Sequence, residues 1–167
     1  MNFLEDSFKD LIEKYKPNNN YDFVFLDNPG YLSELAIEIT NKSHIEFELY
    51  SDSNNGVCLT YNNRPNAVMG LEIVDDVLMM TQLQGINGYD FWNKKKIHPA
   101  GLQDIRWREL FLEVKYDLAK ALKKEFVGII SADNLEFKTT TIKKNYDLLA
   151  LNNSYNQLCD YNWMKKI

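Results

Sequence analysis

A short turn between residues 82 and 88 has the composition of an anion-binding site. The segment reads Gln-Leu-Gln-Gly-Ile-Asn-Gly and follows an apolar run that ends near Gln84. Small residues such as Gly85 and Gly88 let backbone N–H groups approach an anion closely. We therefore expect the backbone of Gln84–Gly88 to bind a phosphate group. The alternative is that the glycines simply end a strand.

Three consecutive lysines follow this turn in a sequence whose formal net charge is −5. They come just after three aromatic residues, namely Tyr89, Phe91 and Trp92. Lysines beside aromatic rings can contact the phosphates of a ligand or of a nucleic-acid strand, although a run of charges is also typical of a solvated loop. We predict a partner or phosphate contact at Lys94, Lys95, Lys96 and Trp92. The aromatic rings should either pack over the following helix or form an exposed patch.

A carboxylate or a histidine is the usual general base. Glu72 lies in the apolar run next to the one that ends at the glycine turn. The other strand acids are expected to face solvent. The two histidines, His44 and His98, have no partner at metal-ligand or catalytic spacing, so no metal site is predicted.

Hydrophobic periodicity indicates the elements that position these residues. Helical spacing covers residues 3–16, 103–124 and 139–151. Apolar runs predict strands at 22–26, 35–40, 45–50, 57–62, 67–74, 77–84 and 126–131, with an edge strand at 161–167. The segment between Gly85 and the second helix is expected to be a loop. This order predicts an α+β fold in which helices flank a mixed, mostly antiparallel sheet.

The element order and several motif residues resemble those of GNAT-type N-acetyltransferases. In that family a Gln/Arg-x-x-Gly-x-Gly/Ala motif binds pyrophosphate between the fourth strand and the next helix. Here Gln82 and Gly85 match the motif, Asn87 stands at the Gly/Ala position, and Gly88 comes one residue late. The family's helix begins within this motif, whereas here a long segment intervenes.

The downstream half of the chain resembles the same family. Residues 126–131 are similar to its fifth strand, and Asn134 is similar to an Asn that often follows it. Tyr146 resembles the Tyr of a Tyr-x-x-x-Gly-Phe segment, although Ala150-Leu151 replaces Gly-Phe. The resemblance implies that Tyr146 protonates the thiolate that leaves acetyl-CoA and that Glu72 acts as base through water. The implied cofactor-binding residues are Gln82, Gln84, Gly85, Ile86, Asn87, Gly88 and Asn134.

The resemblance implies a GNAT-like domain over residues 1–167, with residues 1–20 as an N-terminal helical addition. Its implied activity is transfer of an acetyl group from acetyl-CoA to an amine of a small molecule or a protein, and a catalytically degenerate member is equally open. The alternative is a non-enzymatic regulatory protein, such as a bacterial or phage accessory factor, that contacts a protein partner through residues 89–98. A third alternative is that the acidic strands mimic nucleic-acid phosphates.

Composition limits the kinds of partner and the cellular compartment that we expect for this protein. A net charge of −5 disfavours nucleic-acid binding by the whole surface, because phosphate contacts need clustered Lys and Arg. No segment reaches the roughly 18 consecutive apolar residues of a membrane helix. The N-terminal residues also lack the apolar core of a signal peptide. We therefore expect a cytoplasmic protein without a membrane contact.

Overall fold

The computed structural model describes residues 3–26, 45–47, 53–131, 140–157 and 162–167. The first half contains helix α1 (Phe3–Tyr15) and strands β1 (Tyr21–Leu26), β2 (Ile45–Phe47), β3 (Asn55–Tyr61), β4 (Arg64–Val74), β5 (Val77–Gly85), β6 (Gly88–Asp90) and β7 (Lys95–Ile97). A 3-10 turn (Leu102–Asp104) then leads to α2 (Trp107–Ala121), β8 (Phe126–Ile129), α3 (Thr140–Asn152), β9 (Asn156–Gln157) and β10 (Trp163–Lys166). In this described part of the chain, no helix is long and apolar enough to cross a membrane.

Seven strands form the main sheet in the order β1-β3-β4-β5-β8-β10-β9. The β5–β8 pair is parallel, and the other neighbouring strands of this sheet are antiparallel. Three helices within the described residues accompany the sheet. The structure thus confirms the predicted α+β fold, in which helices flank a mixed, mostly antiparallel sheet.

Helix α2 connects the parallel strands β5 and β8 and crosses the sheet between them. After α2, the backbone N–H groups of Glu125 and Phe126 donate to the carbonyl of Asp76, at 3.0 and 3.1 Å. Lys124 Nζ also donates to the carbonyl of Asp75, at 2.7 Å. These bonds fix the end of α2 beside the start of β5. The N-terminus of α2 therefore returns to the carboxyl edge of β5, which is where α/β sheets commonly bind ligands.

Helix α1 is part of the hydrophobic core. Leu4 and Phe8 are almost fully buried and belong to the same cluster as Phe111 of α2. Tyr15, at the end of α1, donates from its hydroxyl to Asp117 Oδ2 at 2.6 Å. The segment that the sequence assigned to an N-terminal addition thus contributes directly to the packing of α2.

Three expectations about strands are wrong. The strand predicted at 45–50 begins as β2, but β2 lies in a separate three-stranded sheet of order β2-β6-β7 rather than in the main sheet. The segment after Gly85 was expected to be a loop, yet it contains the β6–β7 hairpin. Its strands have three residues each, too few to show a periodic pattern.

The C-terminal strand was expected at an edge, but β10 lies between β8 and β9. The two-residue strand β9 occupies the edge instead, and both of its residues are exposed. Strand β10 carries the buried Trp163, which is opposite Ile129 of β8. The strand predicted at 35–40 and residues 48–50 lie outside the described residues.

Candidate functional site

Strands β5 and β8 pair for only four residues and then part. Their last paired residues are Met80 and Ile129, followed by a bond from the N–H of Ile130 to the carbonyl of Met80 at 2.9 Å. The register between β4 and β5 shifts at the same level, because Gly70 is opposite Gln82 and Leu71 is opposite Met80. Thr81 is therefore the extra residue of a β-bulge, a feature that bends a strand and often lies near functional sites.

The side chain of Tyr146 lies where β5 continues beyond β8. Its hydroxyl accepts a hydrogen bond from the backbone N–H of Leu83 at 2.6 Å. The same hydroxyl donates to the carbonyl of Leu83 at 3.4 Å. Tyr146 is buried, with 6% of its surface exposed. The residue predicted as the acid is thus brought directly to the strand that carries the glycine motif.

A polar network next to Tyr146 holds α3 against β8 and β10. The carboxylate of Asp147 accepts hydrogen bonds from Trp163 Nε1 at 2.9 Å and from Ser131 Oγ at 3.4 Å. The backbone N–H of Ser131 donates to Asn162 Oδ1 at 3.2 Å. Because Asp147 follows Tyr146 directly, these bonds fix the tyrosine position. Sequence reasoning missed the network, since its members are far apart in the chain.

Much of the motif backbone is used inside the fold. Gln84 and Gly85 are opposite Val68 and Ala67 in the β4–β5 ladder. The N–H of Ile86 donates to the carbonyl of Asn66 at 2.7 Å. Gly88 is opposite both Phe47 and Ile97 in the small sheet. Backbone groups of Ile86 and Gly88 are thus used inside the fold, and the phosphate contact predicted for Gln84–Gly88 stays a prediction.

The side chains of the motif also make contacts within the fold. Gln82 Nε2 donates to Gln84 Oε1 at 3.1 Å, and Asn87 Oδ1 is 3.3 Å from His98 Nδ1. A Cβ atom added to Gly85 would lie 3.5 Å from Leu102 Cδ1 and 3.7 Å from Pro99 Cγ. The segment that precedes α2 therefore covers one face of Gly85. Asn134 lies outside the described residues.

Glu72 is not brought near Tyr146. It lies on β4 beside the motif strand, opposite Met79, whereas Leu83, the partner of Tyr146, is opposite Met69. The positions of Glu72 and Met69 on β4 are three residues apart, which corresponds to about 10 Å along a strand. Met69 belongs to the core that contains α2, and alternation directs Glu72 to the other face of the sheet.

The β6–β7 hairpin, residues 88–97, presents exposed aromatic and basic side chains. Phe91 and Trp92 have 50% and 75% of their surfaces exposed, and all three lysines are exposed. Of the two expectations for these rings, the exposed patch is correct. Tyr89 packs edge-to-face on Phe91 at a centroid distance of 5.3 Å.

The turn of this hairpin is organised by Asp90. Its carboxylate accepts hydrogen bonds from the backbone N–H groups of Trp92 and Asn93, each at 3.0 Å, and from Asn93 Nδ2 at 2.7 Å. The bonds from the side chain and backbone of Asn93 are the main reason that the pKa of Asp90 is lowered. The turn is thus held in one conformation that presents Trp92 outward.

Lys115 is a fully buried lysine that sequence reasoning missed. Its Nζ donates to the carbonyl of Gly128 at 2.7 Å and lies 4.9 Å from the centroid of the Tyr155 ring. Burial disfavours the charged form and lowers the pKa of Lys115 well below its usual value. Its helical spacing with Phe111 and Leu118, within the apolar stripe of α2, was the available signal.

A cavity of about 920 Å³ lies away from Tyr146. It is an open groove between the end of α1, the outer side of α2 and Tyr155. Side chains of both charges, lysines as well as carboxylates, line it. Its Asp117 is already bound to Lys14 and Tyr15. Size alone therefore does not make it the functional site. Among the described residues, no group of three His, Cys, Asp or Glu side chains could hold a metal ion.

No protein-family model and no curated protein matches this sequence. A search of solved structures found similarity to N-acetylglutamate synthase from Neisseria gonorrhoeae, whose structure contains coenzyme A and N-acetyl-glutamate. The TM-score is 0.40 and the sequence identity is 12%. The match covers 86% of this chain but 35% of the synthase chain, so this chain corresponds to about a third of that protein.

Proposed function

We propose that this protein is an acyltransferase that moves an acetyl group from acetyl-CoA to an amine. The observation that carries this proposal is the position of Tyr146. Its hydroxyl lies at Leu83, beyond the last pairing between β5 and β8. The family resemblance implies the role of proton donor for the same tyrosine.

In the proposed reaction, the amine nitrogen attacks the thioester carbonyl carbon and forms a tetrahedral intermediate. The carbon–sulfur bond then breaks, and Tyr146 gives its hydroxyl proton to the departing thiolate. The proton released by the amine restores the tyrosine through water. Positioning of the two reactants would supply most of the rate increase, because Glu72 is too distant to serve as a direct base.

The phosphates of the donor would bind at the N-terminus of α2. That end lies at the carboxyl edge of β5, and Arg106, its N-cap residue, makes no side-chain capping hydrogen bond. Helix N-termini carry backbone N–H groups and a partial positive charge that favour anions. This placement differs from the one implied by the motif, because Ile86 and Gly88 use their backbones within the fold.

In the resting protein, the contact between Tyr146 and Leu83 would oppose binding of the acyl donor. Tyr146 bonds to both backbone groups of Leu83, so an acyl donor that lies against β5 must displace this contact. The cost of that displacement reduces the affinity for the donor. Tyr146→Phe should therefore bind acetyl-CoA at least as tightly as the wild type, while transfer to an amine becomes slower.

Thermal unfolding with and without acetyl-CoA is the first test. At a ligand concentration near 100 Kd, binding should stabilise the protein by about 2.7 kcal/mol. Tyr146→Phe should keep this shift and lose about 10²–10⁴-fold in transfer to a panel of amines. Tyr116→Phe is the matched control and should retain activity. Absence of a shift at millimolar acetyl-CoA in the wild type would contradict the proposal.

A second candidate function is partner binding by the β6–β7 hairpin, and the exposed Trp92 favours it. A protein partner with an apolar pocket and an acidic rim would complement Trp92 and the three lysines. Tryptophan is enriched among residues that dominate binding energy at interfaces. The ordered turn at Asp90 would lower the entropic cost of docking.

This second candidate is tested by affinity purification from the source cells. The baits would be the wild type, Trp92→Ala and the combined change of Lys94, Lys95 and Lys96 to Gln. Leu151→Ala, a change at another exposed apolar residue, is the control. A specific partner should be lost with both hairpin variants, be retained with the control, and bind more weakly as salt rises. A partner profile that is the same for all four baits would exclude the hairpin.

A further inference from the structure

A cavity of about 280 Å³ separates the main sheet from the small β2-β6-β7 sheet. Its walls come from both sheets and are largely apolar. Ile45 of β2 and Ile86 of the β5–β6 connection are almost fully buried, and Pro65 at the start of β4 is buried. Ile97 and Pro99 close the opposite side. An apolar cavity with a few polar groups is the usual form of a small-ligand site.

The charge of this cavity is unlike that of the protein as a whole. The described residues that line it include no carboxylate, although the chain has a net charge of −5. Within this described lining, Arg64 alone has a permanent positive charge, and it is exposed at the rim. The ion pairs found among the described residues do not include Arg64. His98 lies on the same rim, with its Nδ1 atom near Asn87.

The walls of the cavity are held in place by hydrogen bonds. Asn66 has 2% of its surface exposed, and its Nδ2 donates to the carbonyl of Arg64 at 2.9 Å. The carbonyl of Asn66 accepts the N–H of Ile86 at 2.7 Å, which ties β4 to the β5–β6 connection. The turn before Arg64 contains Asn62 and Asn63 in the left-handed conformation, with φ of 49° and 59°. The arginine backbone is therefore fixed before any ligand arrives.

We propose that this cavity binds a small carboxylate with a flat, apolar body, such as an aromatic acid. The carboxylate would pair with the Arg64 guanidinium, which can donate two parallel hydrogen bonds to it. The apolar body would lie between the isoleucine and proline walls. This cavity is separate from the place near Tyr146 where β5 and β8 part, and the proposed binding does not depend on acyl transfer.

A ligand in this cavity would also connect the two sheets. Arg64 and Pro65 belong to the main sheet, whereas Ile45, Gly88 and Ile97 belong to the small sheet that carries the aromatic hairpin. Occupancy would therefore stabilise the position of the hairpin relative to β4. The amide resonances of β6 and β7 should shift when ligand binds, together with those of residues 64–66.

The test is an NMR titration of the full ¹⁵N-labelled chain with benzoate as the probe. Benzyl alcohol has a similar body without the charge, and inorganic phosphate has charge without the body. Benzoate should shift the amides of residues 64–66, 86–88 and 97–98 in a saturable manner. Both comparison compounds should bind at least about tenfold more weakly, because each lacks one of the two complementary features.

Variants separate this site from a general attraction of anions. Arg64→Gln should weaken benzoate binding about tenfold or more. Lys9→Gln removes the same charge from α1, far from the cavity, and should leave binding unchanged. The amide spectrum of each variant reports whether the fold is intact. Equal binding by Arg64→Gln and wild type, benzyl alcohol binding as tightly as benzoate, or no saturable shift at millimolar benzoate would each overturn the proposal.

Discussion

The hydroxyl of Tyr146 and the backbone N–H of Leu83 form a 2.6 Å hydrogen bond between residues that are 63 positions apart in the chain. This bond joins α3 to β5 at the point where β5 has lost β8 as its neighbour. It satisfies strand groups that would otherwise be buried without a partner strand. The contact therefore has a structural role in addition to the catalytic role proposed for the tyrosine.

Tyr146→Phe is expected to destabilise the protein by about 1–3 kcal/mol, because it leaves the backbone groups of Leu83 unsatisfied in a buried site. For a chain of this length the melting temperature should fall by roughly 2–4 °C for each kcal/mol. Urea denaturation monitored by fluorescence measures the change. Tyr116→Phe should change stability by no more than about 0.5 kcal/mol. Equal effects of the two variants would show that the Leu83 contact adds nothing to stability.

Two glycines near the site should differ in how well they tolerate replacement by alanine. A Cβ atom at Gly70 would collide with Ser53 Oγ and lie 2.8 Å from Gln82 Cβ, so Gly70→Ala should cost about 1–3 kcal/mol. Gly85→Ala would meet neighbours at 3.5 Å or more and should remain within about 1 kcal/mol of wild type. Thermal denaturation of the pair distinguishes them. A larger loss for Gly85→Ala would contradict the packing described for the motif.

The buried Lys115 predicts a specific pH dependence. Its folded pKa lies well below the usual 10.5, so between these two values the unfolded chain binds a proton that the folded chain does not. The free energy of unfolding contributed by this group therefore rises with pH through that window and is constant above it. Lys115→Met lacks this contribution. The stability difference, wild type minus variant, should increase as pH is raised from about 7 to about 10.

Urea denaturation at several pH values measures this difference, and the subtraction removes the titrations that both proteins share. Lys120→Met changes an exposed lysine on the same helix and is the matched control. A difference for Lys115→Met that does not vary with pH would mean that the buried amine keeps its proton in the folded state.

The hairpin turn is predicted to open at low pH. Hydrogen bonds from Asn93 and Trp92 lower the pKa of Asp90 in the ordered turn below 3.8, its usual value. The ionised carboxylate therefore stabilises the ordered turn fully above the usual pKa. This stabilisation is lost as the pH falls through the lowered pKa. The amide resonances of Trp92 and Asn93 should titrate together with a midpoint below 3.8. In Asp90→Asn the two amides should show no such titration. A midpoint at or above 3.8 would contradict the prediction.

The local hydrophobic pattern was sufficient to predict the helices and strands whose periodicity is strong. The apolar stripes of α1 and α2 and the alternating runs of β3–β5 predicted these elements, because burial on one face imposes its period on the sequence. The continuous apolar run of β8 correctly indicated a central strand, since a strand covered on both faces has no polar side. Strand β5 also ends at Gly85, as the glycine turn indicated, whereas the roles of the turn and of Tyr146 stay predictions.

Only the tertiary structure decided the rest, because it depends on contacts between residues distant in the chain. The sequence could not show that the segment after Gly85 folds into a hairpin, since strands of three residues have no readable period. It could not show that Ile86 donates to Asn66, that Glu72 lies away from Tyr146, or that Lys115 reaches Gly128. Strand register and helix crossing determine these contacts. The amino-acid sequence therefore determined the fold class and the candidate residues, and the packing of the chain determined which of those residues meet.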